Sequence, residues 1–254
     1  MAAPRMCVAA LGVTLAASAA LIGTITPRGS GAAVESVRPP SWVLRGPYAP
    51  KVDPANFVTR IDNRYFPLKP GTGFHYVGLR DGVRQTDDMV VTHGVKVVLG
   101  VRCTVVRDTV SEQGEPVERT FDWYAQDKQG NVWYLGELSL EKQNGRLVKA
   151  SDSWEAGVNG AKPGTIIEGK PRTGDVYRQE YYPPGEALDQ ARVLGPSGAL
   201  TVPAGRFEHP LATIEWSPVE PQLEKKYYVA GVGEVLENVV AGGHERFQLV
   251  RVTH

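Results

Sequence analysis

Residues 121–137 read FDWYAQDKQGNVWYLGE, and this stretch predicts a β-hairpin that decides the fold class. Two runs rich in aromatic side chains flank a turn at residues 127–130. Gly130 suits that turn because glycine readily takes the positive φ of a bulged type I turn. Asp127 opens the turn, where an aspartate side chain ordinarily hydrogen-bonds to the backbone two residues further on. We therefore assign Asp127 to the turn.

The register of this hairpin predicts two chemically different faces. Tyr124 is expected opposite Trp133, and Asp122 is expected opposite Leu135. The apolar face, which we expect to pack in the core, holds Phe121, Trp123, Ala125, Val132 and Tyr134. The other face combines aromatic rings with carboxyl and amide groups, which suits one wall of a ligand cavity.

Alternating apolar and polar residues continue beyond residue 57 and predict further strands, including one over residues 96–110 that bends at Gly100. No stretch of helical length has a 3.6-residue period. Turn-forming pairs separate the strands at Asp81-Gly82, Asn144-Gly145, Asn159-Gly160 and Gly242-Gly243. A long open sheet would leave its edges free to aggregate. The sequence therefore predicts an all-β antiparallel meander, closed or curled into a calycin-like barrel or half-barrel.

The N-terminus predicts export. Arg5 precedes an uncharged apolar run over residues 6–25. Three interpretations fit: a signal peptide cleaved after an A-x-A sequence at residues 17–19, a longer one cleaved near residues 31–33, or an uncleaved anchor, since about 20 apolar residues span a bilayer. Cys7 begins the apolar run and does not close it, so a lipoprotein acylation site is not supported. We expect a protein that is secreted or anchored to the outer face of the cytoplasmic membrane.

Composition divides the chain into three parts. Residues 1–28 are the signal peptide or membrane anchor, residues 29–56 are a linker rich in Gly, Ser and Pro, and residues 57–254 form a single barrel-like domain. After the leader Cys103 is the only cysteine, which excludes an intrachain disulfide. Its strand-like surroundings favour a buried, inert thiol over a reactive one.

Charge and motifs exclude several classes of function. The chain balances 28 basic against 28 acidic residues without a basic stripe, so we expect no nucleic-acid partner. The five histidines lack metal-binding spacing, and residues 195–198 lack the G-x-S-x-G frame of serine hydrolases. No phosphate- or dinucleotide-binding motif is present, so no cofactor is expected. The oligomeric state stays open.

Carboxyl groups beside aromatic rings are the remaining candidates for chemistry, because burial against apolar rings raises their pKa and suits acid–base work. The candidate catalytic residues are Glu155, Glu180 and Asp122. The candidate ligand-binding residues are Tyr124, Trp133, Glu137, Trp154, Tyr177, Tyr181 and Trp216. The alternative is structural: the carboxyl groups would hold loop amides or pair with Arg178 and Lys162, and the rings would be ordinary core.

Two resemblances extend this interpretation. The segments DWYAQD, GNVWY and GE within residues 122–137, SWEAGV at 153–158, GAKPG at 160–164 and YRQEY at 177–181 resemble a signature of exported actinobacterial β-proteins. VPAGRF at 202–207 and KYYVAGVG at 226–233 are similar to TapB-like and lipoprotein-carrier-like half-barrels of the bacterial envelope. The resemblances imply a curved β-sheet and a hydrophobic ligand, and they name no catalytic residue.

Two functions of different class remain. The first is an exported protein that binds a hydrophobic or amphipathic small molecule, such as a lipid or secondary metabolite, inside an aromatic-lined barrel. The second is a cofactor-independent cyclase, isomerase or dehydratase that folds an extended, polyketide-like substrate against the same rings while a carboxyl group moves a proton. A purely structural envelope role is the third. The fold alone does not separate them.

Overall fold

A computed structural model describes residues 37–219 and 222–254, and in these it is almost entirely β, as predicted. The predicted signal or anchor segment, residues 1–28, lies outside the described residues. In chain order the strands are β1 (Phe57–Val58), β2 (Gly73–Arg80), β3 (Val83–Val98), β4 (Val101–Glu112), β5 (Glu115–Asp127), β6 (Val132–Gln143), β7 (Arg146–Lys149), β8 (Trp154–Glu155), β9 (Lys162–Ile167), β10 (Val176–Arg178), β11 (Glu180–Tyr181), β12 (Gln190–Pro196), β13 (Leu200–Val202), β14 (Gly205–Phe207), β15 (Leu211–Trp216), β16 (Leu223–Val229), β17 (Gly233–Ala241) and β18 (Glu245–Thr253). The helical elements among the described residues are single 3-10 turns at Pro54–Asn56 and Pro183–Gly185, and none is long enough to cross a membrane.

The main sheet curls into a nearly closed barrel with one seam. Its strand order is β10-β12-β15-β16-β17-β18-β2-β3-β4-β5-β6-β9-β11, and all pairs are antiparallel. The two end strands, β10 and β11, are separated in the chain only by Gln179. One continuous segment therefore pairs with β12 through its first half and with β9 through its second. This confirms the predicted curled antiparallel meander.

The β5–β6 hairpin forms where predicted, but its predicted register is wrong by one residue. Tyr124 lies opposite Tyr134, and Trp133 lies opposite Ala125. Gly130 has a φ of 88° and belongs to the loop, so that Asp127 pairs with Asn131 through an N–H···O bond of 3.0 Å. A one-residue slip turns a strand over. Tyr134 therefore faces the barrel interior beside Tyr124, instead of lying on the face of Trp123.

A second predicted pair, that of Asp122 with Leu135, is wrong because β6 contains a β-bulge. Asp122 lies opposite Glu137 and not opposite Leu135, because β6 has one more residue than β5 between this pair and the pair of Tyr124 with Tyr134. Gly136 lies in the bulge with a φ of 138°, a conformation that glycine favours. The extra residue lets two side chains three positions apart, Tyr134 and Glu137, both point inward.

Residues 96–110 form a hairpin, not the single bent strand that was predicted. Val98 pairs with Val101 across a two-residue turn, in which Leu99 and Gly100 have φ values of 51° and 78°. Two positive φ values define the turn that best matches twisted strands. The sequence did not reveal this turn, because Leu99 occupies its first central position, where asparagine is usual.

The described part of the predicted linker lies against the barrel wall. Leu44 N–H donates to Gln190 Oε1 over 2.7 Å, and the Tyr48 hydroxyl donates to the Pro163 carbonyl over 2.9 Å. Residues 37–56 therefore cover part of the outer surface of the sheet in the described structure. Cys103 is fully buried, as predicted, and burial raises the pKa of its thiol to about 12.

Candidate functional site

Carboxyl groups are concentrated in the protein interior. Apart from Asp127 in the β5–β6 turn, the buried acidic residues are Asp87, Asp108, Glu118, Asp122, Glu137, Asp152, Glu180, Asp189, Glu215, Glu224, Glu234, Glu237 and Glu245. Among the described residues the buried basic side chains are Arg80, Arg178 and Lys226. Burying a carboxylate is costly unless a cation or a proton neutralises it. Protons or cationic side chains must therefore neutralise many of these interior carboxyl groups.

One tyrosine hydroxyl joins two of these carboxyl groups. Tyr134 Oη lies 2.8 Å from Asp122 Oδ1 and 2.9 Å from Glu137 Oε2. A hydroxyl has one proton to donate, so the second contact requires a carboxyl group that carries a proton of its own. Burial raises the pKa of Asp122 to about 7, with Asp108 adding to the shift. Burial and the neighbouring Asp152 raise the pKa of Glu137 well above its usual range.

Aromatic rings pack directly against the ring of Tyr134 and its neighbour Tyr124. The Tyr134 ring stacks on Tyr124 with a centroid distance of 4.9 Å, and its other neighbour, Trp154, meets it edge-on at 5.2 Å. Phe66 meets Tyr124 edge-on at 5.6 Å. Such contacts add stabilisation beyond area burial. The result is a buried aromatic cluster that contains an acid–base group.

Glu180 borders the same region at the seam of the barrel. It lies on β11, opposite Pro163 of β9, and is almost fully buried. Burial raises its pKa well above the usual range, with Asp189 and then Asp152 adding to the shift. The charge of Glu180 also contributes to the raised pKa of Glu137. The structure therefore brings Asp122, Glu137 and Glu180 into one electrostatic group.

A buried lysine contacts carboxyl groups on the wall of the barrel that is formed by β15, β16 and β17. Lys226 Nζ lies 3.2 Å from Glu215 Oε2, 3.3 Å from Glu224 Oε2 and 3.4 Å from Glu237 Oε2. Burial alone would lower the pKa of the ammonium group, but Glu215 and Glu224 outweigh it, and the pKa lies well above its usual range. Tyr177 belongs to this wall, because it pairs with Ala191 of β12, which lies opposite Glu215 of β15. Burial, with the charge of Glu215, raises the pKa of its hydroxyl well above the usual range.

Three carboxylates of this wall are spaced as ligands of a hard cation would be. Glu224, Glu237 and Glu245 each bring one oxygen within 4.8 Å of the others. Arg80 binds Glu245 through both oxygens, with N···O distances of 2.5 and 2.6 Å, and Lys226 contacts the other two. Side-chain cations therefore already neutralise this group in part.

Glu155 lies apart from the other candidate catalytic residues. It pairs with Lys96 over 2.9 Å, and both side chains are about one-third exposed, at 33% and 39%. Lys96 in turn lies 4.7 Å from the ring centroid of Trp123, on the outer face of the barrel. Trp154, the residue before Glu155, faces inward instead and lies opposite Glu137. Alternation along the strand separates the two side chains.

Three candidate ligand-binding residues also lie away from the interior cluster. Trp133 packs edge-on against Phe57 at 5.9 Å and donates its indole N–H to Asp127 over 2.9 Å. Asp127 also accepts from the backbone of Gln129, which confirms its assignment to the turn. Tyr181 is half-buried and packs against Tyr48 of the 37–56 segment at 5.6 Å. Trp216 is buried at the end of β15, opposite Gln190.

Sequence reasoning missed several interior groups. They are Tyr134, Lys226, Arg80, Asp87, Asp108, Glu215, Glu224, Glu234, Glu237 and Glu245. Gly136 was a usable signal for Tyr134, because a glycine inside a strand pattern often marks a bulge. The carboxyl groups gave no such signal, since alternating charges on a strand ordinarily indicate a solvent-facing side.

Comparisons with known proteins give fold-level likeness alone. No family model matches the chain, and no curated protein matches it. One similar solved structure is a protein from Bacteroides fragilis, described as exported with a YmcC-like fold: TM-score 0.46, 13% identity, 76% of this chain and 100% of that chain. Another, from Parabacteroides distasonis, is described as a lipoprotein. The match has a TM-score of 0.41 and 12% sequence identity, and it covers 76% of this chain and 100% of that chain.

Proposed function

We propose that this protein is exported to the bacterial envelope and binds a small amphipathic molecule, such as a lipid or secondary metabolite, inside its barrel. The observation that carries the proposal is the combination of a buried aromatic cluster with an excess of buried carboxyl groups. A soluble domain built only for stability gains little from such an interior, since each buried charge costs free energy that apolar side chains would not. The apolar N-terminal run over residues 6–25 supports export.

The seam suits ligand entry. The ends of the sheet meet at β10 and β11, where short strands pair over only three and two residues. Short pairings separate more readily than the long ladders of β3, β4 and β5. Trp154, Glu180 and Tyr177 lie near this seam and are the proposed lining of the entry path. Residues 37–56 cross the same region, where Tyr48 contacts Pro163.

The test is recovery of a bound molecule. The full-length chain is expressed in a bacterial host, purified from the envelope fraction, and compared by native mass spectrometry before and after organic extraction. We expect a small molecule that remains with the folded protein and leaves on unfolding. A folded protein with no bound small molecule, and no affinity for added amphiphiles, would contradict the proposal.

The second candidate function is a cofactor-independent cyclase, isomerase or dehydratase, and one arrangement favours it. Asp122, Tyr134 and Glu137 share protons within hydrogen-bonding distance, as an acid–base relay requires. In that function Asp122 and Glu180 would move the proton, and Tyr124 and Trp154 would hold the apolar substrate. Glu155 serves as the matched control, because it lies on the outer face.

The enzyme test follows conversion of polyketide-like extended substrates by chromatography and mass spectrometry. Asp122→Asn and Glu180→Gln should each reduce turnover by about a hundredfold or more, the usual scale for loss of a general acid or base. Glu155→Gln should retain turnover. Turnover rates equal to that of the parent protein in all three folded variants would contradict the proposed enzymatic function.

A further inference from the structure

A groove lies on the outer face of three adjacent strands, β18, β2 and β3. Its volume is about 390 Å³. Its lining residues are Val77, Gly78, Leu79, Arg84, Arg246 and Gln248. Tyr76 is buried, so the alternation of side chains along β2 turns Val77 and Leu79 outward. Leu79 is 53% exposed and lies opposite Arg246 on one side and Arg84 on the other. The three strands thus place an exposed leucine between two exposed arginines.

The two arginines give this groove a positive charge. Among the residues that the structure describes, the ion pairs do not include Arg84 or Arg246. Arg246 Nη2 donates to Gln248 Oε1 over 3.3 Å, and this partner is neutral. Asp88, on the same face of β3, is already paired with His75 at 2.7 Å. The groove is therefore complementary to a negatively charged surface.

A third cation and further apolar side chains extend the groove into a larger patch. Lys225 of β16 lies on the same face, because Asn238 of β17 is opposite both Lys225 and Arg246. Val240 follows Asn238 by two residues and is 48% exposed. Val83, the first residue of β3, is exposed as well. The basic–apolar patch is the set Leu79, Val83, Arg84, Lys225, Val240 and Arg246.

The patch is continuous across the two turns that border it. The β2–β3 turn and the β17–β18 turn are joined, because the Asp81 N–H donates to the His244 carbonyl over 2.8 Å. Asp81 is exposed and brings one negative charge to this end of the barrel. The three basic residues of the patch outnumber it, so the net charge is positive. Exposed aliphatic side chains framed by cations are typical of surfaces that bind anionic membranes.

The N-terminal segment approaches the same end of the barrel. Leu44 N–H donates to the Gln190 side chain over 2.7 Å. Cross-strand pairs lead from Gln190 through Trp216 and Leu223 to Ala241, which adjoins the patch. The apolar run predicted to be a signal peptide or anchor ends at residue 25, and residues 26–43 separate it from Leu44. These residues span at most about 60 Å when extended, at about 3.3 Å each. An uncleaved anchor therefore keeps the patch within reach of the bilayer surface.

We propose that the basic–apolar patch docks on the surface of a bilayer that contains anionic lipids. Arg84 and Arg246 bind headgroup phosphates, which match the fork of N–H donors on a guanidinium group. Leu79 and Val240 enter the interfacial region beside them. A bilayer is favoured over an acidic protein because the apolar side chains of the patch are aliphatic, whereas the anchors of protein interfaces are mainly aromatic. The docking does not depend on a ligand inside the barrel.

The experiment places a polarity-sensitive dye on the patch of the full-length chain. Val240→Cys is labelled with a nitrobenzoxadiazole dye in a Cys7→Ser background, and Cys103 is fully buried and should not take the label. Vesicles of phosphatidylcholine alone are compared with vesicles that also contain phosphatidylglycerol. The anionic vesicles should shift the dye emission to the blue and increase its intensity. Salt at about 0.5 M should reverse much of this change, because it screens the charges.

A dye at the opposite end of β3 is the matched control. Val97 is 61% exposed and lies opposite Arg102, which is also exposed. Val97→Cys therefore carries the dye on an aliphatic position beside an arginine, but far along the strand from the patch. Its emission should be the same with neutral and with anionic vesicles.

Two variants assign the docking to the groove. Arg84→Gln and Arg246→Gln should each lower the ratio of docked to undocked protein on anionic vesicles about fivefold, the factor that one basic residue supplies near such a surface. Arg102→Gln, at the other end of the barrel, should leave the ratio unchanged. All three side chains are exposed, so the thermal unfolding temperatures of these variants should match that of the parent protein.

Several results would overturn the docking. Equal dye responses to neutral and anionic vesicles would remove the role of charge. Equal responses at Val240→Cys and Val97→Cys would remove the assignment to this end of the barrel. Docking that persists unchanged in both groove variants would show that Arg84 and Arg246 do not hold the headgroups. A response to soluble polyglutamate as large as that to anionic vesicles would show that the patch binds an acidic polypeptide instead.

Discussion

Asp122 and Glu137 face each other across β5 and β6 and share the hydroxyl of one residue, Tyr134. The bulge at Gly136 makes this possible, because it turns both Tyr134 and Glu137 toward the barrel interior. The O···O distances of 2.8 and 2.9 Å are those of good hydrogen bonds. Two acidic groups are thereby held in the aromatic cluster, and among the described residues neither forms an ion pair with a basic side chain.

Replacement of Tyr134 by Phe should destabilise the protein by about 1–3 kcal/mol, because it leaves two buried carboxyl groups without the hydroxyl that satisfies them. Urea unfolding of the full chain measures the change. Tyr227→Phe is the control, since Tyr227 lies on the outer face of β16 beside Lys225 and should change little. Equal stability of Tyr134→Phe and the parent protein would show that the shared hydroxyl contributes nothing.

The stability of the ligand-free protein should fall as the pH rises from about 4 to about 7. The pKa of Asp122 is near 3.8 when exposed and about 7 in the folded state. The folded protein therefore binds more protons than the unfolded chain within this window, and stability decreases with pH. For one group the loss is of the order of 4 kcal/mol, and above about pH 7 it is complete.

Asp122→Asn checks this assignment, because an amide cannot titrate. Unfolding free energies of the variant, measured across the same pH range, should decline less steeply than those of the parent protein. Glu155→Gln, on the outer face, should follow the parent curve. Parallel curves for Asp122→Asn and the parent would mean that other interior carboxyl groups carry the pH dependence.

Local chemistry explains which parts of this fold could be predicted. Asp127 and Gly130 specify their turn by side-chain hydrogen bonding and positive φ, both of which are readable from a few residues. The register was not readable, since it depends on whether Gly130 is counted in the loop or in the strand. That one residue decides whether Tyr134 packs outside or joins the interior carboxyl groups.

The interior was harder to predict than the strands themselves. In β16, Glu224, Lys225 and Lys226 are consecutive charged residues, so hydrophobicity gives no indication of which face is buried. In β17, Glu234 and Glu237 both reach the interior although they are three residues apart, because the β16–β17 pairing also contains an irregularity. Period-two reasoning assigns such residues to opposite faces. The pairing of β16 with β17 places Glu237 directly opposite Lys226 and Glu234 opposite Tyr228.

Gly136→Ala should destabilise the protein by about 3 kcal/mol or more. A methyl group at this position would meet the carbonyl oxygen of Trp154 and the Cα of Glu155, and Gly136 has a φ of 138°. Gly145→Ala is the matched control: its φ of 78° is also positive, but nothing lies within 4 Å of the added methyl group. It should cost about 1 kcal/mol from backbone strain alone. Equal unfolding free energies for the two variants would show that crowding at the bulge is unimportant.

Lys226→Met should be destabilising in a way that depends on pH. At about pH 8 the loss should reach about 3–5 kcal/mol, because Glu215, Glu224 and Glu237 remain buried without their ammonium partner. At about pH 5 the loss should be smaller, since burial raises the pKa values of Glu215 and Glu237 and protons can neutralise these two groups in place of the lysine. Urea unfolding at both pH values provides the comparison.

Two further variants separate charge from packing at Lys226. Lys226→Met combined with Glu237→Gln removes one of the unpaired charges, so the double variant should be more stable at about pH 8 than Lys226→Met alone. Lys225→Met, next in the chain but on the outer face, should change the unfolding free energy by no more than about 0.5 kcal/mol. A loss at Lys226 that is the same at both pH values, and is not relieved by Glu237→Gln, would mean that the aliphatic stem matters and the buried ammonium does not.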